Sequence, residues 1–131
     1  MLALTLALDL AAAGLAWRPR PGDRFVVRRA EMCDEVFHLA DMVIEARHLA
    51  SGTVFSFNGT TEWALDSVPQ SETVWLPGET QLRVALGSAF VSLVRADGGF
   101  VVTLKDGSRH RDPDAENAYA LALLAHLSAA P

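Results

Sequence analysis

Glycine-centred turn signals cut this sequence into short apolar runs, and that spacing constrains the fold more than any other feature. Ser51-Gly52, Asn58-Gly59, Asp97-Gly98 and Asp106-Gly107 each stand between runs of alternating or β-branched residues. Asn-Gly and Asp-Gly suit two-residue hairpins because both central positions need positive φ. Runs this short and this tightly joined pair as antiparallel neighbours, since parallel strands need long crossovers.

The pattern predicts a strand at Phe25-Val26-Val27. Two more are expected over Glu35–Leu39 and Met42–Leu49, joined by a tight turn at Ala40-Asp41. Thr53, Phe55 and Phe57 share one face of a further strand, and Asn58-Gly59 turns it back into Thr61, Trp63 and Leu65. Ser67 to Glu72 is polar and holds Pro69, so it reads as a loop, with Val74-Trp75-Leu76-Pro77 leading into a helix. Phe90–Val94 and Phe100–Leu104 form a hairpin across Asp97-Gly98-Gly99. Ser108–Arg111 returns beyond Asp106-Gly107 as an edge strand.

Helical spacing marks three segments. Leu4, Leu8, Ala11 and Leu15 recur along the N-terminal stretch, which ends at Gly14. Met1–Ala16 lacks a positive n-region and carries Asp9, so it reads as a docked helix and not as a signal peptide. It is also shorter than the ~20 apolar residues of a membrane span. Leu82, Ala85, Leu86 and Ala89 line a middle helix closed by Gly87. Asp112-Pro113-Asp114 starts a C-terminal helix, with Asp112 as cap and Pro113 at its first position. That helix is apolar over most of its circumference, so it must be buried against the sheet or a partner. The expectation is a single α+β domain over 1–131. It consists of a curved antiparallel meander of about seven or eight strands with an N-terminal, a middle and a C-terminal helix packed on it.

At 131 residues and half hydrophobic, such a chain buries a real core without disulfide or metal staples, roughly two thirds of its unfolded surface. The net charge of −5 argues against nucleic acid as a partner, because phosphate neutralisation needs clustered cations. Arg18, Arg20, Arg24, Arg28 and Arg29 are the dense basic group. They are broken by Pro19, Pro21, Gly22 and Asp23, and read as a solvated loop and strand edge. The lone cysteine, Cys33, forms no intrachain disulfide, which suits a cytoplasmic location. Flanked by Glu31, Asp34 and Glu35, it makes a poor thiolate.

Several chemistries fail for want of a named residue. The single lysine, Lys105, follows no glycine-rich loop, so there is no P-loop, and no G-x-G-x-x-G is present. His38, His48, His110 and His126 are scattered without zinc spacing. Trp75-Leu76-Pro77-Gly78-Glu79 resembles part of a Nudix domain, but the following helix offers Glu79 as its only carboxylate. One carboxylate does not hold a catalytic Mg²⁺. No cofactor and no metal are therefore expected.

The polar candidates cluster between residues 38 and 66. His38 and His48 flank one expected hairpin, with Glu45, Asn58, Glu62 and Asp66 on neighbouring strands. A His–Glu pair meeting there would serve acid–base hydrolysis, although Glu45 and Arg47 alternating with Ile44 and Ala46 also describe a solvated face. Trp63 and Trp75 are the candidate walls of an apolar ligand pocket, with Trp17, Phe55, Phe57 and Phe90 as further aromatics. Core packing is the plainer reading of the same residues.

Two stretches carry a family likeness. They are Gly14-Leu15 with Trp17, Pro19 and Pro21-Gly22-Asp23-Arg24-Phe25, and Phe57–Ser67, continued by Trp75-Leu76-Pro77 and Gln81-Leu82-Arg83. Together the chain resembles short proteins of high-GC bacteria that often carry the label pilus assembly protein CpaE. A full CpaE resembles a long MinD-type ATPase with a P-loop, and this chain lacks the loop, so the resemblance transfers no catalytic residue. It implies a small accessory protein. The leading expectation is a non-enzymatic interaction domain that meets a protein partner or its own copy through apolar helix faces. Ligand binding between Trp63 and Trp75 comes second, and hydrolysis third.

Overall fold

The computed structural model describes residues 1–29, 35–39, 44–57 and 67–129. In chain order the elements begin with helix α1 (Leu4–Ala12), β1 (Arg24–Val27), β2 (Val36–His38) and β3 (Ile44–Leu49). β4 (Gly52–Phe57), β5 (Ser67–Pro69), β6 (Thr73–Leu76) and helix α2 (Glu79–Leu86) follow. β7 (Phe90–Ala96), β8 (Gly99–Leu104), β9 (Arg109–Asp112) and helix α3 (Ala115–Ala129) complete the order. The class is α+β with helices at the expected places. The strands do not form one meander. They make three-stranded antiparallel sheets ordered β2-β1-β6, β3-β4-β5 and β7-β8-β9. The chain gathers into two compact units, Trp17–Leu76 and Met1–Ala16 with Pro77–Pro131.

In the Trp17–Leu76 unit, the departure from a meander has a local cause. Thr73–Leu76 buries Val74 and Leu76 while Thr73 and Trp75 stay half-buried, a period of two that makes it a strand and not a helix approach. It pairs along the whole of β1, Phe25 opposite Trp75 and Val27 opposite Thr73. β1 takes β2 on its other side, Phe25 opposite Phe37. Ser67–Pro69, expected as loop, is a strand too. It lies at the edge of its sheet, where proline's missing N–H is tolerated. The turn expected at Ala40-Asp41 and the strand expected after Asn58-Gly59 lie outside the described residues.

Phe25, Val27, Leu39, Phe55 and Val68 form the core of this unit. Phe25 of one sheet meets Phe55 of the other at 5.1 Å between ring centroids, so two small sheets pack face to face. Each fully buried side chain of this size contributes about 1.5–3 kcal/mol. The proline-rich entry closes in a turn at Arg20–Asp23. Asp23 donates its N–H to the Arg20 carbonyl at 3.1 Å, and Pro21 and Gly22 (φ 93°) fill the central positions of a type II turn. Gly22 and Leu39 anchor it to the end of β2, with Gly22 N–H on the Leu39 carbonyl and Leu39 N–H on the Asp23 carbonyl.

In the other unit, α3 is the central element. Ala118, Tyr119, Ala120, Ala122 and Leu123 are all buried, and α3 packs against α1, α2, β8 and β9. The small alanines let neighbours approach on several sides, while Leu121, Leu124, Ala125 and Leu127 stay half-buried. Asp114, not Asp112, caps it. The Asp114 carboxylate accepts the N–H of Glu116 at 2.8 Å and of Asn117 at 3.3 Å. Asp112 braces the cap by accepting the Asp114 N–H and the Asn117 side-chain amide.

The same turn of α3 serves α1, whose N-cap Ala3 has no polar side chain. The Leu2 N–H donates to Glu116 and the Ala3 N–H to Asn117, and the Met1 amino group pairs with Asp114. α1 ends in a Schellman motif: Leu15 N–H reaches the Leu10 carbonyl, Gly14 N–H reaches Ala11, and Gly14 sits at φ 102°. In α2, Leu82 and Leu86 are buried as expected, whereas Ala85 is exposed. Gln81 accepts the Gly78 N–H at 2.9 Å, half of a capping box.

Candidate functional site

The polar group expected between residues 38 and 66 is not assembled as one site by the residues the structure describes. His38 is exposed at the end of β2, opposite Arg24. His48 is exposed on β3, opposite Thr53, and its Nδ1 lies 3.2 Å from the Thr53 hydroxyl. β2 pairs with β1 and β3 with β4, so the histidines belong to different sheets and no hairpin joins them. The backbone of Glu45 stands in β3 opposite Ser56, with its side chain outside the described part. Asn58, Glu62, Trp63 and Asp66 lie outside the described residues, as does Cys33.

Trp75 is placed well. Its ring stacks on Trp17, 6.2 Å between centroids and 6° between planes. Trp17 in turn touches Phe25 and Phe55 at 5.7 and 5.3 Å. The Trp17 indole N–H donates to Asp23 at 2.9 Å, and the Arg20 N–H shares that carboxylate oxygen. Asp23 is buried, and these donors replace its lost water. The Trp75 Nε1 is buried and finds no acceptor among the described residues. Phe90 belongs to the other unit, its ring 5.7 Å from Tyr119. Of the arginine group, Arg29 pairs with Glu72 at 2.8 Å, while Arg18, Arg20 and Arg28 are exposed.

A serine–histidine contact at the entry to β9 escaped the sequence reading. The hydroxyl of Ser108, the residue before the strand, lies 3.0 Å from His110 Nε2. Asp106 accepts the Ser108 N–H at 2.8 Å. Hydrogen bonds from the Ser108 side chain and backbone hold its carboxyl below the usual carboxylate range. A nucleophilic triad needs that carboxylate on the far nitrogen of the histidine. Here it closes the turn between β8 and β9 instead, beside Gly107 at φ 86°. Among the described residues, no group of three or more His, Cys, Asp or Glu converges as a metal site. No helix among them is long and apolar enough to cross a membrane.

The feature that stands out is the outer edge of β7. Asp97 (φ 45°) and Gly98 (φ 75°) form a two-residue turn between β7 and β8, with Ala96 opposite Gly99. In such a hairpin the residues flanking the turn are hydrogen-bonded to each other. Ala96, Val94 and Ser92 therefore direct their backbone groups to β8, and Arg95 and Leu93 direct theirs outward. Among the described residues no strand pairs with that side. A bulge between Phe90 and Ser92 ends the regular edge at Val91. Val91 and Val94 are 54% and 52% exposed, unusual for valines on a strand. The contact of Phe90 with Tyr119 puts α3 on the face of Leu93, Val102 and Leu104. Val94, Val101 and Arg111 share the opposite face.

No family model matches the chain, no curated protein matches it, and no solved structure does.

Proposed function

We propose that this chain is an accessory interaction module that receives an extended strand along the free edge of β7. The observation that carries this reading is the outward backbone of Leu93 and Arg95, which no strand among the described residues pairs, with exposed Val91 before them and exposed Val94 between them. Edges of this kind are normally blunted by charge, shortness or proline. β5 is short and ends in Pro69, β9 carries Arg109 and Arg111, and β3 carries Glu45, Arg47 and His48. β7 has Arg95 as its one charged residue and is the longest edge strand among the described residues. Strand addition draws affinity from main-chain hydrogen bonds and specificity from alternate side chains. Such a role agrees with the accessory part in pilus assembly that the CpaE-labelled resemblance implies, and with a cytoplasmic setting.

Selection from displayed random peptides tests the reading, with Arg95→Pro as counter-target. Proline at position 95 deletes an outward N–H and leaves the β7–β8 ladder intact. Selected peptides bind the parent chain, shift the Leu93 and Arg95 amide resonances, and fail on Arg95→Pro. Peptides that bind both proteins equally, or leave those amides unmoved, contradict it.

One observation favours a second reading. The Trp75 N–H, which has no acceptor among the described residues and lies beside the Trp17 stack, suits a small ligand that brings an oxygen acceptor to an aromatic wall. Tryptophan fluorescence against a metabolite panel tests it, and a spectrum unchanged across the panel removes it.

A further inference from the structure

We propose that the strand received by β7 is the β7 of a second copy of this chain, paired antiparallel about a twofold axis through Val94. This rests on the strand-addition reading above and names its occupant.

Hydrogen-bond geometry selects the register. Only Leu93 and Arg95 face outward on the regular part of the edge, between the bulge at Val91 and the turn at Asp97. An axis through Val94 sets Leu93 of each copy opposite Arg95 of the other. Each such pair exchanges N–H and C=O reciprocally, and every outward group of the edge is satisfied. An axis through Leu93 instead sets Arg95 opposite the bulged Val91, where the ladder is interrupted.

Side chains agree with the same register. The two Val94 residues become a non-hydrogen-bonded pair, the closest cross-strand relation in an antiparallel sheet. Their exposed apolar surface is covered by its own copy. Each Arg95 faces a leucine, so no like charges are opposed. The other edge of this sheet does not offer that: pairing β9 with itself brings Arg109 and Arg111 against the same residues of the copy. The pairing is isologous and closes at two copies. It joins two three-stranded sheets into one continuous sheet.

The test is sedimentation of the full chain across a wide concentration range. The expected result is a monomer–dimer equilibrium weakened by at least about tenfold in Val94→Lys, which sets like charges directly across the axis. Val84→Lys, at a residue 72% exposed on α2, leaves the equilibrium unchanged. In a Cys33→Ser background, Val94→Cys forms an intermolecular disulfide under mild oxidation faster than Val84→Cys. A chain that stays monomeric throughout, or a dimer insensitive to Val94→Lys, overturns the proposal. If the monomeric chain still takes selected peptides at Leu93 and Arg95, the second copy is excluded and strand addition survives. If it takes none, both readings fall together.

Discussion

Replacing Asp114 removes the acceptor that starts α3 and also serves the N-terminus. Its carboxylate receives two backbone N–H groups, from Glu116 and Asn117, and pairs with the Met1 amino group. Loss of an N-cap costs about 0.5–2 kcal/mol, and a negative charge at a helix start is worth about 0.3–1 kcal/mol. Asp114→Ala is therefore expected to destabilise by about 1–3 kcal/mol. Asp114→Asn keeps an oxygen and loses the charge, so about 0.3–1 kcal/mol is expected.

The two variants separate further with pH. Burial raises the Asp114 pKa, but hydrogen bonds from the N-terminal ammonium and from the Asn117 and Glu116 N–H groups outweigh it. The result lies below the ordinary value of 3.8. A folded-state pKa below the unfolded one stabilises the fold above the unfolded pKa, and that gain is lost as pH falls through the folded pKa. The gap between parent and Asp114→Asn should thus hold from pH 7 to about pH 4 and close below it. The gap to Asp114→Ala should shrink only to its capping part. Urea denaturation followed at 222 nm is the assay, because α1, α2 and α3 all belong to the unit that Asp114 caps. Equal losses for Asn and Ala at pH 7, or a parent–Asn gap that ignores pH, would refute the reasoning.

Three further outcomes are expected. A Cβ on Gly99 would sit 3.0 Å from the Asp112 carbonyl oxygen and 3.4 Å from the Pro113 Cα, so Gly99→Ala should destabilise by about 1–3 kcal/mol in the 222 nm transition. Phe55→Ala empties the space between the two sheets at Phe25 and Trp17 and should cost about 3–5 kcal/mol, read by tryptophan fluorescence on denaturation. Trp17→Phe should destabilise more than Trp75→Phe, since it strips a donor from buried Asp23, whereas Trp75 Nε1 has no acceptor to lose among the described residues; the reverse order in chemical denaturation would contradict this.

What the sequence made legible is local. Asp97-Gly98 marks its turn because positive φ at both positions admits few other residues, and Gly14 and Gly87 end their helices at positive φ. The start of α3 was read two residues early because Asp112 and Asp114 both carry capping chemistry and only the folded turn assigns their roles. Long-range pairing was not legible. β1 joins β6 across a long stretch of chain and takes β2 on its other side, which leaves His38 and His48 in different sheets. Pro69 signalled loop, yet an edge position tolerates it. The β7 edge was hidden for the same reason, since a strand's own residues do not say which neighbours the sheet will supply. Ser108 and His110 stood two apart in the sequence, an available signal on a recognised strand.

The decisive property of the chain is an edge of β7 that is open and becomes occupied. Amide hydrogen exchange of Leu93 and Arg95, measured in the full chain from dilute to concentrated solution, reads this directly. The prediction is fast exchange when dilute and growing protection at both residues as concentration rises, with Ser92 and Val94 protected throughout by β8. Protection of Leu93 and Arg95 already complete at the lowest concentration, or fast exchange at every concentration, would contradict it.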